Sequence, residues 1–224
     1  MKNGKIGDCC KMARCKASTS ERGGGLSGRR TSERGDNAAD GRFAAVPTVV
    51  LKEGRYIRLL RQGEWEFVCR KNCTGIVIIL AMTEEQNVLF VEQYRLPVAK
   101  NVIEFPAGLV NDLNLKKKET ILNAARRELW EETGYRARRI VKVMDGPSSG
   151  GSSSDIITIV MAKGLKKVSA GGGDETEAIT VHEIPLDKAD PWLAQKRKTG
   201  CLIDPKIYAG LYFLKKYNGE NSNG

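Results

Sequence analysis

The chain has 224 residues, which is enough for one well-packed domain and short for two. It carries 37 Lys and Arg residues against 27 Asp and Glu residues, so its formal net charge is +10, a balance typical of proteins that meet nucleic acid or an anionic surface. The longest unbroken apolar run covers only residues 76–82, which excludes a membrane-spanning helix, and six cysteines are too few for a disulfide scaffold.

Residues 1–43 differ in composition from the rest of the chain. They contain ten basic and five acidic residues, many glycines and few large apolar side chains, so they hold half of the net charge. This composition predicts a disordered basic tail, with an organellar targeting segment or a nucleic-acid arm as the alternatives. Because no apolar secretory segment follows the N-terminus, we expect a cytoplasmic protein without a membrane partner. The tail lacks interleaved aromatic residues, so we do not expect nucleic acid as a dedicated partner.

From residue 46 onward, short apolar or alternating runs are separated by polar turns, a pattern that predicts strands. The predicted strands cover residues 48–52, 56–61, 65–70, 75–82, 88–94, 102–105, 140–144, 156–162 and 179–184. Helices are predicted at residues 120–133, 187–199 and 204–217, the first of them between Thr120 as a cap and Gly134 just past its end. Many strands with few helices indicate an α+β fold.

Three carboxylates lie close together in the first predicted helix. Glu128, Glu131 and Glu132 stand at positions i, i+3 and i+4, which share one face of a helix. Like charges at this spacing repel, and the C-terminal half of a helix disfavours anions. A hard divalent cation with oxygen ligands would offset both effects. The alternative is a solvated acidic face that is matched by Arg126 and Arg127.

The surroundings of this helix carry a recognisable pattern. Residues 104–108 predict a strand that ends in a tight glycine-containing turn, which would leave backbone carbonyls free as cation ligands. Gly108, Glu119 and the run over residues 127–135 then resemble the Nudix box, whose second half has the form REUxEExGU with U apolar or aromatic. Ten residues separate Gly108 from Glu119 where the box usually has five, and we expect a longer surface loop there.

The resemblance to the Nudix family extends over about residues 49–217. It implies an α/β/α sandwich with a mixed sheet, together with an additional N-terminal antiparallel sheet. Residues 91–95 and 104–108 are similar to the branch that hydrolyses ADP-ribose and nucleoside diphosphate sugars. The organisation implied is a tail at 1–43, a dimerisation sheet at 44–72, a Nudix domain at 73–218 and a C-terminal tail at 219–224.

The resemblance also implies a role for each matching residue. Glu128, Glu132 and the carbonyl of Ala107 would bind Mg²⁺, with Mn²⁺ as a substitute, and Glu131 would be a further ligand or a catalytic partner of these ligands. An ion pair between Glu119 and Arg127 would hold the loop to the helix, and Gly108 and Gly134 would be structural positions of the box.

Other implied roles lie outside the box. Arg95 would contact the phosphates of the substrate, and Trp65 would stack on its base across the dimer. Either Glu175 or Glu177 would be the general base, because carboxylates that already bind metal accept protons poorly. His182, the only histidine, is expected to be a strand residue without a catalytic role.

The activity that this resemblance implies is hydrolysis of a diphosphate linkage with Mg²⁺. The substrate would be ADP-ribose or a related nucleoside diphosphate sugar, and the products a nucleoside monophosphate and a sugar phosphate. The alternatives are a Nudix hydrolase of dinucleoside polyphosphates or other nucleoside diphosphate derivatives, and a nucleic-acid-associated Nudix module directed by the basic tail.

Overall fold

A computed structural model describes residues 46–111, 119–173 and 178–222, with side chains through residue 219. The tail predicted over residues 1–43 lies outside the described residues. The described chain forms two compact units, one of residues 46–71 with 149–154 and the other of residues 72–148 with 155–222. No helix in these described ranges is long and apolar enough to cross a membrane.

The first unit is an antiparallel sheet of three strands in the order β1-β2-β3. The strands are β1 (Thr48–Glu53), β2 (Ile57–Gln62) and β3 (Trp65–Arg70). The turn between β2 and β3 contains Gly63 at φ +62°, a conformation that glycine adopts without steric penalty. The additional N-terminal antiparallel sheet predicted from the sequence is therefore confirmed.

In the part of the chain that the structure describes, the second unit contains eight strands in two four-stranded sheets. The strands are β4 (Gly75–Ala81), β5 (Asn87–Arg95), β6 (Lys100–Glu104), β7 (Ala107–Val110), β8 (Tyr135–Pro147), β9 (Ile156–Lys167), β10 (Ile179–Pro185) and β11 (Leu202–Ile203). One sheet has the order β7-β4-β9-β8 and the other the order β10-β5-β6-β11. Both are mixed, because β4 pairs with β9 and β6 with β11 in parallel while the other pairs are antiparallel.

In the described residues the second unit has three helices, α1 (Ile121–Thr133), α2 (Ala189–Lys198) and α3 (Lys206–Ser222), and short 3₁₀ turns at Leu96–Val98 and Leu186–Lys188. Helices α1 and α3 pack against opposite faces of the β7-β4-β9-β8 sheet, whereas α2 contacts β10 and β11 of the other sheet. Along β4, Val77 and Ile79 belong to the apolar cluster that contains α1, whereas Ile78 and Leu80 belong to the cluster that contains α2 and α3. A strand covered on both faces is apolar throughout, which is why β4 reads as a continuous apolar run.

The structure corrects some of the sequence-based expectations. The tight turn expected at Gly108 is wrong, because Ala107–Val110 is strand β7 and Gly108 lies opposite Val77 of β4. The strand predicted at residues 140–144 covers Tyr135–Pro147, and the last helix runs to Ser222, beyond the expected start of the C-terminal tail. The two-residue strand β11 was not predicted, since it is too short to show a period. The α+β class with a mixed sheet is confirmed.

Candidate active site

Helix α1 presents the three clustered carboxylates, and its ends are fixed by capping. The Thr120 side chain accepts a hydrogen bond from the amide of Asn123 at 3.3 Å, as an N-cap residue does. Gly134 follows the helix at φ +77°, and its amide donates to the carbonyl of Trp130 at 2.9 Å. These caps fix both ends of the helix, and the carboxylates lie in its C-terminal half.

Two of these carboxylates are buried against strand β7. Glu128 is 8% exposed and Glu132 is 5% exposed. The amide of Ala107 donates to Oε2 of Glu132 at 3.0 Å. A Cβ atom at Gly108 would lie 1.9 Å from Cδ of Glu128, so only glycine allows this carboxylate to approach the strand so closely. The glycine is explained by this close approach, and not by a turn.

The backbone of Ala107 faces away from the neighbouring strand β4. Ala107 lies opposite Ile78, while the carbonyl of the preceding Pro106 accepts from the amide of Ile79 at 2.8 Å. Ala107 therefore occupies a non-hydrogen-bonded position of the antiparallel ladder, where amide and carbonyl both point away from the partner strand. Because β7 is the outer strand of its sheet, the Ala107 carbonyl lies on the same edge as Glu132.

Arg127 joins the acidic residues of the site into one network. Its Nε donates to Oε1 of Glu119 at 3.1 Å, and one terminal nitrogen donates to Oε1 of Glu128 at 2.7 Å and to Oε2 of Glu131 at 3.1 Å. The other terminal nitrogen donates to the carbonyl of Leu109 at 3.0 Å. The guanidinium thus connects helix α1 to strand β7 and to Glu119, with Arg127 itself largely buried.

The long loop before the helix is closed by a pair of hydrogen bonds. The amide of Asn111 donates to Oε2 of Glu119 at 3.0 Å, and the amide of Glu119 donates to Oδ1 of Asn111 at 3.1 Å. Burial raises the pKa of Glu119, but the hydrogen bonds from Arg127 and from the Asn111 amide outweigh burial and lower that pKa below its usual value. Glu119 is therefore held beside Arg127 although the loop is longer than usual. Residues 112–118 of this loop lie outside the described residues.

Sequence analysis did not find Asn111. It adopts φ +68°, a left-handed conformation that asparagine tolerates better than most residues. The available signal was an asparagine directly after an apolar run and in front of a long polar loop.

The residues at this edge fit a hard divalent cation. Three carboxylates and one backbone carbonyl form an oxygen-only donor set, which suits Mg²⁺ or Mn²⁺. One guanidinium is shared by Glu119, Glu128 and Glu131, so Arg127 alone does not balance their charge. Across residues 46–111, 119–173 and 178–222, no three Asp, Glu, His or Cys side chains already converge as a metal site, since in this arrangement the carboxylates turn toward Arg127 and the Ala107 amide.

The other residues singled out in the sequence are distributed over both units. Arg95 ends strand β5, and its Nε donates to Oε2 of Glu104 at 2.7 Å. Trp65 begins β3 of the first unit, where it is 57% exposed and its indole N–H donates to the carbonyl of Gly151 at 3.0 Å. Glu175 and Glu177 lie outside the described residues.

His182 belongs to a separate polar cluster around Glu92. Oε2 of Glu92 contacts Nε2 of His182 at 2.9 Å and accepts from Nζ of Lys196 at 2.6 Å. Oε1 accepts from the Asn101 side chain at 3.0 Å and from the thiol of Cys201 at 3.5 Å. Burial raises the pKa of Glu92, but the hydrogen bonds from Lys196, His182 and Asn101 outweigh it and lower that pKa to about 2. This cluster links β5, β6, β10 and α2.

Known proteins resemble this chain both in sequence and in fold. The family described as NUDIX domain matches residues 72–202. The chain belongs to the Nudix family. A crystal structure titled ADP compounds hydrolase shares the Nudix fold with this chain, with a TM-score of 0.59 and 18% identity over 78% of this chain and 93% of that one.

Three proteins that are similar in sequence to this Nudix chain carry three different functional names. The methanol dehydrogenase activator of Bacillus methanolicus is 37% identical over 63% of this chain and 72% of that protein. The ADP-ribose pyrophosphatase of Bacillus subtilis is 34% identical over 51% of this chain and 60% of that protein. The GDP-mannose pyrophosphatase of Cronobacter sakazakii is 30% identical over 73% of this chain and 82% of that protein.

Proposed function

We propose that this Nudix protein hydrolyses the diphosphate linkage of ADP-ribose or of a related nucleoside diphosphate sugar, and releases a nucleoside monophosphate and a sugar phosphate. The observation that carries the proposal is the buried carboxylate face of α1 against the Ala107–Gly108 edge of β7. Relatives named ADP-ribose pyrophosphatase and GDP-mannose pyrophosphatase support the substrate class.

Glu128, Glu132 and the Ala107 carbonyl would hold Mg²⁺, or Mn²⁺ in its place, with Glu131 as a further ligand or as a catalytic partner of these ligands. A bound divalent cation neutralises diphosphate oxygens and lowers the pKa of coordinated water. The protein contributes the fixed positions of these oxygens, because Arg127 and the Ala107 amide restrain the carboxylates before any cation binds.

The general base would be Glu175 or Glu177. The segment that carries them begins directly after Gly173, whose amide donates to the carbonyl of Glu131 at 3.1 Å. The chain that leads into this segment therefore contacts the carboxylate-bearing end of α1.

The substrate would also contact Arg95 and, across a homodimer, Trp65. A guanidinium binds phosphate through forked hydrogen bonds, and the Arg95 side chain retains 43% exposure beside Glu104. The sheet of the first unit, within the predicted dimerisation segment 44–72, exposes several large apolar residues: Val49, Val50, Tyr56, Ile57 and Trp65. Several exposed large apolar residues in one small sheet are typical of a protein interface, which supports a homodimer.

A substrate panel tests the proposal. The protein is incubated with Mg²⁺ and, separately, with ADP-ribose, ADP-glucose, GDP-mannose, diadenosine polyphosphates and capped RNA, and the products are separated by chromatography. We expect a nucleoside monophosphate from at least one diphosphate sugar. Release from diadenosine polyphosphates alone, or from capped RNA alone, would replace the proposed substrate class by one of the alternatives named above.

A further inference from the structure

A run of three glycines docks against the C-terminal end of helix α1. The amide of Gly172 donates to the carbonyl of Glu132 at 2.8 Å, and the amide of Gly173 donates to the carbonyl of Glu131 at 3.1 Å. These carbonyls lie in the last turn of α1, where helix carbonyls have no partner within the helix. The two residues that receive the hydrogen bonds are the two that carry adjacent carboxylates of the site. We call residues 171–173 the glycine clamp.

The clamp fits the helix end so closely that Gly171 in the clamp and Gly134 after the helix have no room for a side chain. A Cβ atom at Gly171 would lie 2.4 Å from the backbone carbon of Thr133 and 2.6 Å from the amide nitrogen of Gly134. A Cβ atom at Gly134 would lie 2.1 Å from the carbonyl oxygen of Ser169. The contact is therefore backbone against backbone, and it does not adapt by rotation of a side chain.

The clamp conformation also requires glycine at each of its positions. Residues 171, 172 and 173 have φ values of +72°, +113° and +82°, which residues with a Cβ rarely adopt. The clamp is closed on its far side, since the amide of Ile179 donates to the carbonyl of Gly172 at 3.2 Å. The clamp is therefore hydrogen-bonded to strand β10 on one side and to helix α1 on the other.

We infer that the glycine clamp positions Glu131 and Glu132 for cation binding, in addition to capping the helix. This inference rests on the proposed function, because it assumes that these carboxylates bind a divalent cation. A hydrogen bond to the carbonyl of each residue fixes the backbone from which its side chain projects. Partners that orient metal ligands affect metal affinity by about 10–100-fold when they are removed.

The test measures Mn²⁺ binding to the full chain by electron paramagnetic resonance, together with thermal unfolding of the same samples. Gly171→Ala places a methyl group against the backbone of Thr133, so we expect Mn²⁺ affinity to fall by about 10–100-fold. Gly172→Ala meets the Ile179 carbonyl oxygen only at 3.8 Å but strains the backbone at φ +113°. We expect it to lower the unfolding temperature and to weaken Mn²⁺ binding, so it keeps the assay informative if Gly171→Ala does not fold.

Gly200→Ala is the matched control. Gly200 has φ +93°, and a Cβ atom added there would meet no heavy atom within 4 Å, so this variant introduces backbone strain of the same kind away from α1. We expect it to lower the unfolding temperature as Gly172→Ala does, with Mn²⁺ affinity unchanged. Wild-type Mn²⁺ affinity in folded clamp variants would overturn the inference. No Mn²⁺ binding by the wild-type protein would instead overturn the proposed function on which it rests.

Discussion

Replacing Glu92 by Gln should destabilise the fold in a way that disappears in acid. Glu92 is 14% exposed at its side chain and accepts hydrogen bonds from Lys196, His182 and Asn101. Its pKa lies at about 2 in the folded protein, against an ordinary value of 4.5 for a glutamate side chain. At about 1.36 kcal/mol per pKa unit, the difference corresponds to roughly 3 kcal/mol as an upper limit. Since glutamine keeps part of the hydrogen bonding and water reaches part of the cluster, we expect a loss of about 2 kcal/mol at pH 7.

The sign of the pH dependence follows from the lowered pKa. A carboxyl group with a depressed pKa in the folded state stabilises the fold above its unfolded pKa, and this contribution is lost as the pH falls toward the folded value. Urea unfolding at several pH values should therefore show a stability difference between wild type and Glu92→Gln that is constant above about pH 5 and shrinks between about pH 4.5 and 2.

Asp190→Asn is the control for that experiment, because Asp190 pairs with Lys215 at 2.8 Å and both side chains are about half exposed, and such surface pairs contribute about 0–1 kcal/mol. A stability difference for Glu92→Gln that persists unchanged at about pH 2.5, or that does not exceed the Asp190→Asn difference at pH 7, would refute the reasoning. Turnover per folded molecule should be unaffected, since the cluster around Glu92 lies outside the proposed site.

The remaining predictions concern the site itself. Gly108→Ala should abolish most turnover, because its Cβ would overlap the Glu128 carboxylate, whereas Gly146→Ala, with its nearest neighbour at 3.8 Å, should leave kcat unchanged; similar kcat values for both would contradict the packing argument. Arg127→Gln breaks a largely buried ion-pair network and should lower the free energy of unfolding by about 3 kcal/mol in urea titrations; a loss below about 1 kcal/mol would count against a strong network. Arg95→Ala should raise KM by about 10–100-fold, the equivalent of one charged hydrogen bond to phosphate, and an unchanged KM would remove Arg95 from the binding site.

The sequence was informative wherever a local pattern determines structure. The caps Thr120 and Gly134 define α1 because cap preferences depend on a few neighbouring residues. The sequence predicts a structural role for Gly108, but the turn that it predicts there is wrong. A glycine in a turn and a glycine packed against a distant side chain cannot be told apart from one sequence. The contact that distinguishes them joins residues 108 and 128, which only the tertiary fold brings together.

Contacts between remote segments were harder still to predict. The glycine run at residues 171–173 reads as a flexible loop, and its hydrogen bonds to Glu131 and Glu132 arise because β9 and β10 return the chain to the end of α1. The reciprocal pairing of Asn111 with Glu119 likewise depends on a conformation at φ +68° that composition does not reveal. These hydrogen bonds between remote segments depend on the topology of the fold, and the periodicity of the sequence does not predict them.

The catalytic role of the α1 carboxylates is tested most directly by hydrolysis of ADP-ribose with wild type and Glu132→Gln, each with Mg²⁺ and with the cation removed by a chelator. Glu132 is buried and bonded to the Ala107 amide, so a glutamine there keeps the shape of the site and removes the charge. We predict AMP and ribose 5-phosphate from the wild type with Mg²⁺, no product after chelation, and no turnover by a folded Glu132→Gln. Chelator-resistant hydrolysis, or a Glu132→Gln variant as active as the wild type, would contradict the assignment of this carboxylate face as the catalytic centre.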